Sequence, residues 1–157
     1  LEPVVPLDVD RYLGRWYELG RFPNRLQERC VGDVVADYVA RSDGRIDVHN
    51  SCTAAAGPTQ SSGVARQAHA DGPASVLQVR FAPAWLSFLP AVWGDYWVID
   101  VDADYSTAVV GTPDRAYLWI LSRTPRIDMP TWSRLLDAAR RQGFDVARLV
   151  RTPQSDK

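Results

Sequence analysis

Leu13-Gly14-Arg15-Trp16-Tyr17-Glu18 opens the first strand-like run of the chain, with a glycine two residues ahead of a tryptophan. Two later stretches fit with it. Asp102-Ala103-Asp104-Tyr105 is a turn between strand-like runs, and Leu118-Trp119-Ile120-Leu121-Ser122-Arg123 is a strand that ends on an arginine. A lone Gly-x-Trp arises by chance in many domains. The weight here lies in the order and spacing of three such stretches over nearly the whole chain.

Between them the sequence reads as short strands separated by turn signals. Residues 34–40 and 45–51 flank Ser42-Asp43-Gly44, a strong hairpin signal. Residues 61–68 and 75–82 flank Asp71-Gly72-Pro73, and 96–101 and 107–111 flank the Asp102–Tyr105 turn. Residues 116–123 form a last strand. With the Trp16 strand these make eight, with no helix between them. The pattern predicts an all-β domain: an eight-stranded up-and-down antiparallel barrel, whose closure removes exposed sheet edges. Residues 130–142 then place Trp132, Leu135, Leu136 and Ala139 at helical spacing, with Gly143 as a stop. An amphipathic helix after the strands must lay its apolar stripe on the outside of the barrel. Residues 144–151 read as a short closing segment with Leu149 and Val150 as its apolar pair.

The 157 residues fit one domain spanning 1–157, and 46% of them are apolar, enough for a real core. A net charge of −1 leaves no electrostatic footprint for nucleic acid. No apolar stretch reaches the ~18–20 residues of a membrane-spanning helix. The first residue is Leu1 rather than Met, which points to removal of an N-terminal signal. His49 and His69 are the two histidines, and neither lies near a plausible nucleophile. No metal, phosphate or nucleophile-elbow motif appears, so no catalytic residue, metal site or cofactor is expected.

The three stretches, and the wider runs 11–18 and 111–125, resemble the lipocalin family, in particular the bacterial outer-membrane lipocalins and their apolipoprotein D relatives. The resemblance implies that Gly14, Trp16, Asp104, Tyr105 and Arg123 are structural, with Arg123 stacked on Trp16 to close the barrel floor. It implies a small hydrophobic ligand, a fatty acid or lysophospholipid, in the barrel. It also implies a periplasmic or outer-membrane setting, often with a lipid anchor on an N-terminal cysteine; no cysteine precedes Leu1.

If the first strand runs from base to mouth, the Asp43-Gly44, Asp71-Gly72 and Asp102–Tyr105 turns lie at the base. The loops 25–32, 57–60, 84–94 and 112–115 then lie at the mouth. Cys30 and Cys52 come to the same rim and are plausible partners in one disulfide; two separate buried thiols are the alternative. Alternation assigns the inner wall: Tyr38, Ile46, Val48, Asn50, Val79, Phe81, Tyr96, Val98, Tyr117 and Trp119. This wall is mostly apolar, with isolated polar groups, and suits one elongated apolar ligand. Glu18 and Arg21 could orient its head group, though a surface ion pair is their ordinary role. The loop carrying Trp85, Leu86, Phe88, Leu89 and Trp93 is unusually apolar for a turn. It reads as a lid, a homodimer contact or a membrane contact. Two rival functions stand beside the carrier: a thiol-dependent enzyme using Cys30 or Cys52 on a small apolar molecule, and an interaction module using residues 85–93.

Overall fold

The computed structural model describes residues 1–24, 27–81 and 92–155. A four-residue helix α1 (Val9–Tyr12) leads into β1 (Gly14–Arg21). Then follow β2 (Cys30–Ala40), β3 (Ile46–Ala54), β4 (Gly57–Gln67), β5 (Val76–Arg80), β6 (Gly94–Val101), β7 (Thr107–Gly111) and β8 (Leu118–Ser122). Each strand pairs antiparallel with the next, and β1 pairs with both β8 and β2, so the eight close into a barrel. Helix α2 (Met129–Arg141), a 3-10 turn (Val146–Arg148) and a two-residue β9 (Val150–Arg151) complete the chain.

Two apolar clusters divide the molecule. The barrel interior holds Leu7, Tyr12, Trp16, Tyr38, Val48, Ala65, Val98, Ala108, Val110 and Leu121. The outer cluster packs Trp132, Leu135 and Ala139 of α2 onto Ile99, Val109 and Ile120. Adjacent residues such as Val109 and Val110 belong to opposite clusters because successive strand side chains leave opposite faces. Asp128 starts α2 by accepting a hydrogen bond from the Thr131 amide at 2.9 Å, an N-cap ordinarily worth about 1 kcal/mol.

The structure departs from the sequence reading in places. Residues 57–60 are strand rather than mouth loop: a turn at Ala55-Ala56 suffices, and pairing runs out to Ala54 and Gly57. Cys30 begins β2 rather than sitting in a loop. Leu149 packs on the outer cluster, but Val150 is exposed, since the two neighbours face opposite ways. β9 pairs with Gly20 and Arg21, covering β1 where β2 has diverged from it. Helix α1 has no counterpart in the strand reading, because four residues carry too little periodicity. Its signal is Asp8, which caps it by accepting from the Arg11 amide.

Candidate ligand-binding site

The floor is built first. Trp16 is fully buried, and its indole N–H donates to the Tyr12 carbonyl at 2.8 Å. The Arg123 guanidinium lies 3.7 Å from the Trp16 ring centroid. Its nitrogens donate to the carbonyls of Arg15 (2.8 Å), Arg11 (2.7 Å), Tyr12 (3.2 Å) and Tyr105 (3.2 Å). A planar fork can stack and donate in its own plane at once, which a lysine cannot do. Gly14 has φ +99°, and a β-carbon there would stand 3.4 Å from an Arg123 nitrogen. Both facts favour glycine two residues before the tryptophan. Asp102 rather than Asp104 organises the following turn most, accepting from the amides of Ser106 (2.7 Å) and Thr107 (2.9 Å). Asp104 accepts from Ser106 at 3.2 Å. Tyr105 adopts φ +57°, and its hydroxyl accepts from the Asp8 amide at 2.9 Å.

Above the floor stand three tyrosines. Tyr96 Oη lies 2.6 Å from Tyr12 Oη and 2.8 Å from Tyr38 Oη. Burial pushes the Tyr38 phenol up to about 12, with the Glu18 carboxylate adding to the rise. Burial also holds Tyr12 and Tyr96 well above the ordinary range. All three are therefore neutral at physiological pH. Tyr96, Trp119 and Tyr117 stack in series up the wall, with centroid separations of 6.4 and 5.6 Å. Tyr12 is the member of this array that the strand pattern missed.

The sequence-assigned wall residues lie as follows. Tyr38, Val48 and Val98 are in the interior cluster, with Ile46, Val79, Tyr96 and Trp119 packed against it. Asn50 pairs with Ala36 across β2–β3 and shares a face with Val48. Phe81 is 38% exposed, its ring against the backbone of Gly63, the partner of Val48. A β-carbon on Gly63 would meet that ring at 2.7 Å. Trp85, Leu86, Phe88 and Leu89 lie outside the described residues. Trp93, grouped with that loop, is 7% exposed: its ring lies beneath Arg66 (3.7 Å), with Arg45 and Arg80 farther out.

Glu18 and Arg21 do form an ion pair, at 2.7 Å, but it is not a surface one; Glu18 is 3% exposed. A bulge between Glu18 and Gly20 turns this part of β1, and the carboxylate collects three partners. Besides Arg21 it accepts from Gln27 (2.8 Å) and from the Thr152 hydroxyl (2.6 Å), while its backbone carbonyl takes the Gln154 amide. Gln27 in turn accepts from the Trp119 indole at 2.8 Å. The network ties β1, β8, the first mouth loop and the C-terminal segment together. Cys30 and Cys52 form a disulfide with their Cα atoms 5.7 Å apart. It closes a 22-residue separation, worth on the order of 3 kcal/mol in the chain-entropy account.

Residues 7–154, which carry the closed barrel, the Arg123–Trp16 stack and the outer helix, match a lipocalin-like domain model. The chain belongs to the lipocalin family. Temperature-induced lipocalin-1 of Arabidopsis thaliana is 41% identical over 157 residues, covering 99% of this chain and 84% of that protein. Outer membrane lipoprotein Blc of Escherichia coli K12 is 39% identical, over 91% of this chain and 77% of that one. Lobster apocrustacyanin A1 superposes with a TM-score of 0.74 at 17% identity, over 95% of this chain and 81% of that one. Lipocalins bind small hydrophobic ligands.

Proposed function

We propose that this lipocalin is a carrier that holds one lipid with a long acyl chain, a fatty acid or lysophospholipid, between the stacked wall Tyr96–Trp119–Tyr117 and the opposite wall of Ile46, Val48, Asn50, Val79 and Phe81. The observation that carries this reading is a partly buried aromatic and aliphatic inner wall standing above a floor whose polar groups are fully engaged. Apolar surface left partly open to water inside a barrel is where an apolar ligand gains most by burial. The role is binding rather than catalysis. Both cysteines are tied in the disulfide, which removes the thiol an isomerase would need. The relatedness to outer membrane lipoproteins supports a periplasmic or outer-membrane setting in a bacterium. Native mass spectrometry with a mixture of C16–C18 fatty acids and lysophospholipids tests the carrier. One lipid per chain is expected, and no adduct with any of them would overturn it.

A further inference from the structure

The inner wall's unengaged polar groups are all uncharged. Among the described residues of that face, the ionised side chains are Glu18, Arg21 and Arg123, and each is engaged. Arg123 serves the floor carbonyls. Arg21 donates to Glu18 and to the carbonyls of Gln27 (3.0 Å) and Cys30 (3.1 Å). Glu18 accepts from Arg21, Gln27 and Thr152. The Trp119 N–H is taken by Gln27. The pair Glu18–Arg21 carries no net charge.

The tyrosines differ. Three hydroxyls bring three protons, and the two contacts among them use two. One O–H is left over in any arrangement of the chain. Tyr12 and Tyr38 are buried, and Tyr96, between them, is the one that keeps some of its surface exposed. With Tyr12 and Tyr38 both donating to it, the Tyr96 hydroxyl turns its own proton to the cavity. The Asn50 side-chain amide makes no hydrogen bond to the described residues and stands on the same face as Val48, the cross-strand partner of Tyr38. Two residues along a strand place it roughly 7 Å nearer the mouth. A donor left without an acceptor inside a barrel is unfavourable, and a ligand oxygen removes that cost. A carboxylate or phosphate brought to the same place would lose its hydration with no unengaged cation among the described residues to compensate.

The geometry points to an uncharged oxygen as the ligand group bound at Tyr96, a hydroxyl, an ester or a carbonyl, with Asn50 a second uncharged partner nearer the mouth and any ionised head group left outside. This rests on the carrier reading and names the chemistry of its ligand. The test uses displacement of the neutral probe phenylnaphthylamine by dodecan-1-ol and by dodecanoate. The alcohol is expected to bind at least about tenfold more tightly than dodecanoate at pH 8. Dodecanoate should gain affinity on acidification, by up to about tenfold per pH unit above its own pKa, because the protonated acid is the form taken. Tyr96→Phe should weaken dodecan-1-ol about tenfold, one charge-free hydrogen bond with its partner left unmet, and Asn50→Leu, nearer the mouth, should weaken it by less. Both variants should keep the wild-type far- and near-ultraviolet circular dichroism spectra, which shows the barrel intact. Equal, pH-independent binding of dodecanoate and dodecanol, untouched by either substitution, would overturn the inference and leave the carrier standing. Binding of neither ligand would overturn the carrier reading and this inference with it.

Discussion

The floor and the upper wall of this barrel use the same residue types to opposite ends. At the floor, Trp16, Arg123 and Tyr105 have their polar groups committed to backbone partners on α1, β1 and the β6–β7 turn. On the wall, Tyr96, Asn50 and Tyr117 are partly exposed, one tyrosine proton is uncommitted, and the Asn50 side-chain amide has no hydrogen bond to the described residues. Buried polar networks with every member satisfied rigidify a fold. Partly satisfied ones are tolerated where a ligand completes them. The difference separates residues that make the barrel from residues that use it.

Deleting the floor should have the largest effect. Trp16→Ala removes a fully buried ring and the surface on which Arg123 stacks. It should cost about 3–5 kcal/mol in denaturant unfolding. A loss below about 1 kcal/mol, with ligand binding abolished, would break the comparison by making Trp16 a binding residue.

The tyrosine cluster should give a smaller effect, visible in alkali. An unfolded tyrosine ionises near pH 10, whereas Tyr38 in the barrel does so only at about 12. Over that window the unfolded chain loses a proton that the folded chain keeps, so stability falls as pH rises. The folded-state protection is fully present below about pH 10. Tyr38 alone should cost about 3 kcal/mol across the window, with Tyr12 and Tyr96 acting in the same direction. Urea unfolding at a series of pH values measures the slope. In Tyr38→Phe the slope should be shallower; an unchanged slope would mean that the cluster is open to solvent.

The smallest effect should come from the wall. Asn50→Leu loses no hydrogen bond to the described residues and should alter stability by no more than about 0.5 kcal/mol. A loss above about 2 kcal/mol would show Asn50 to be part of the framework rather than open to a ligand.

Much of this was legible in the sequence for a physical reason. Strand alternation and hairpin turns are local, so Tyr38, Val48, Val98 and Trp119 could be assigned to the interior from neighbours alone. The floor contact and the Cys30–Cys52 pairing followed from topology and from the lipocalin resemblance. Long-range polar matches were hidden. Glu18 looked like half of a surface ion pair, because Thr152 and Gln27, which surround it, lie 134 and nine residues away. Tyr12 was missed because it reaches the cavity from a single helical turn. Trp93 looked like a rim residue, yet three arginines on β4, β5 and the β2–β3 turn gather around its ring.

The central claim is that a lipid lies against Trp119, above a floor it never touches. Titration with a C16–C18 fatty acid carrying a nitroxide on its chain, followed by tryptophan fluorescence, tests it directly. Wild type should show saturable quenching at one ligand per chain. Trp119→Phe should bind the same ligand with most of that quenching gone. Equal quenching in both proteins, or no saturable quenching in wild type, would contradict the account.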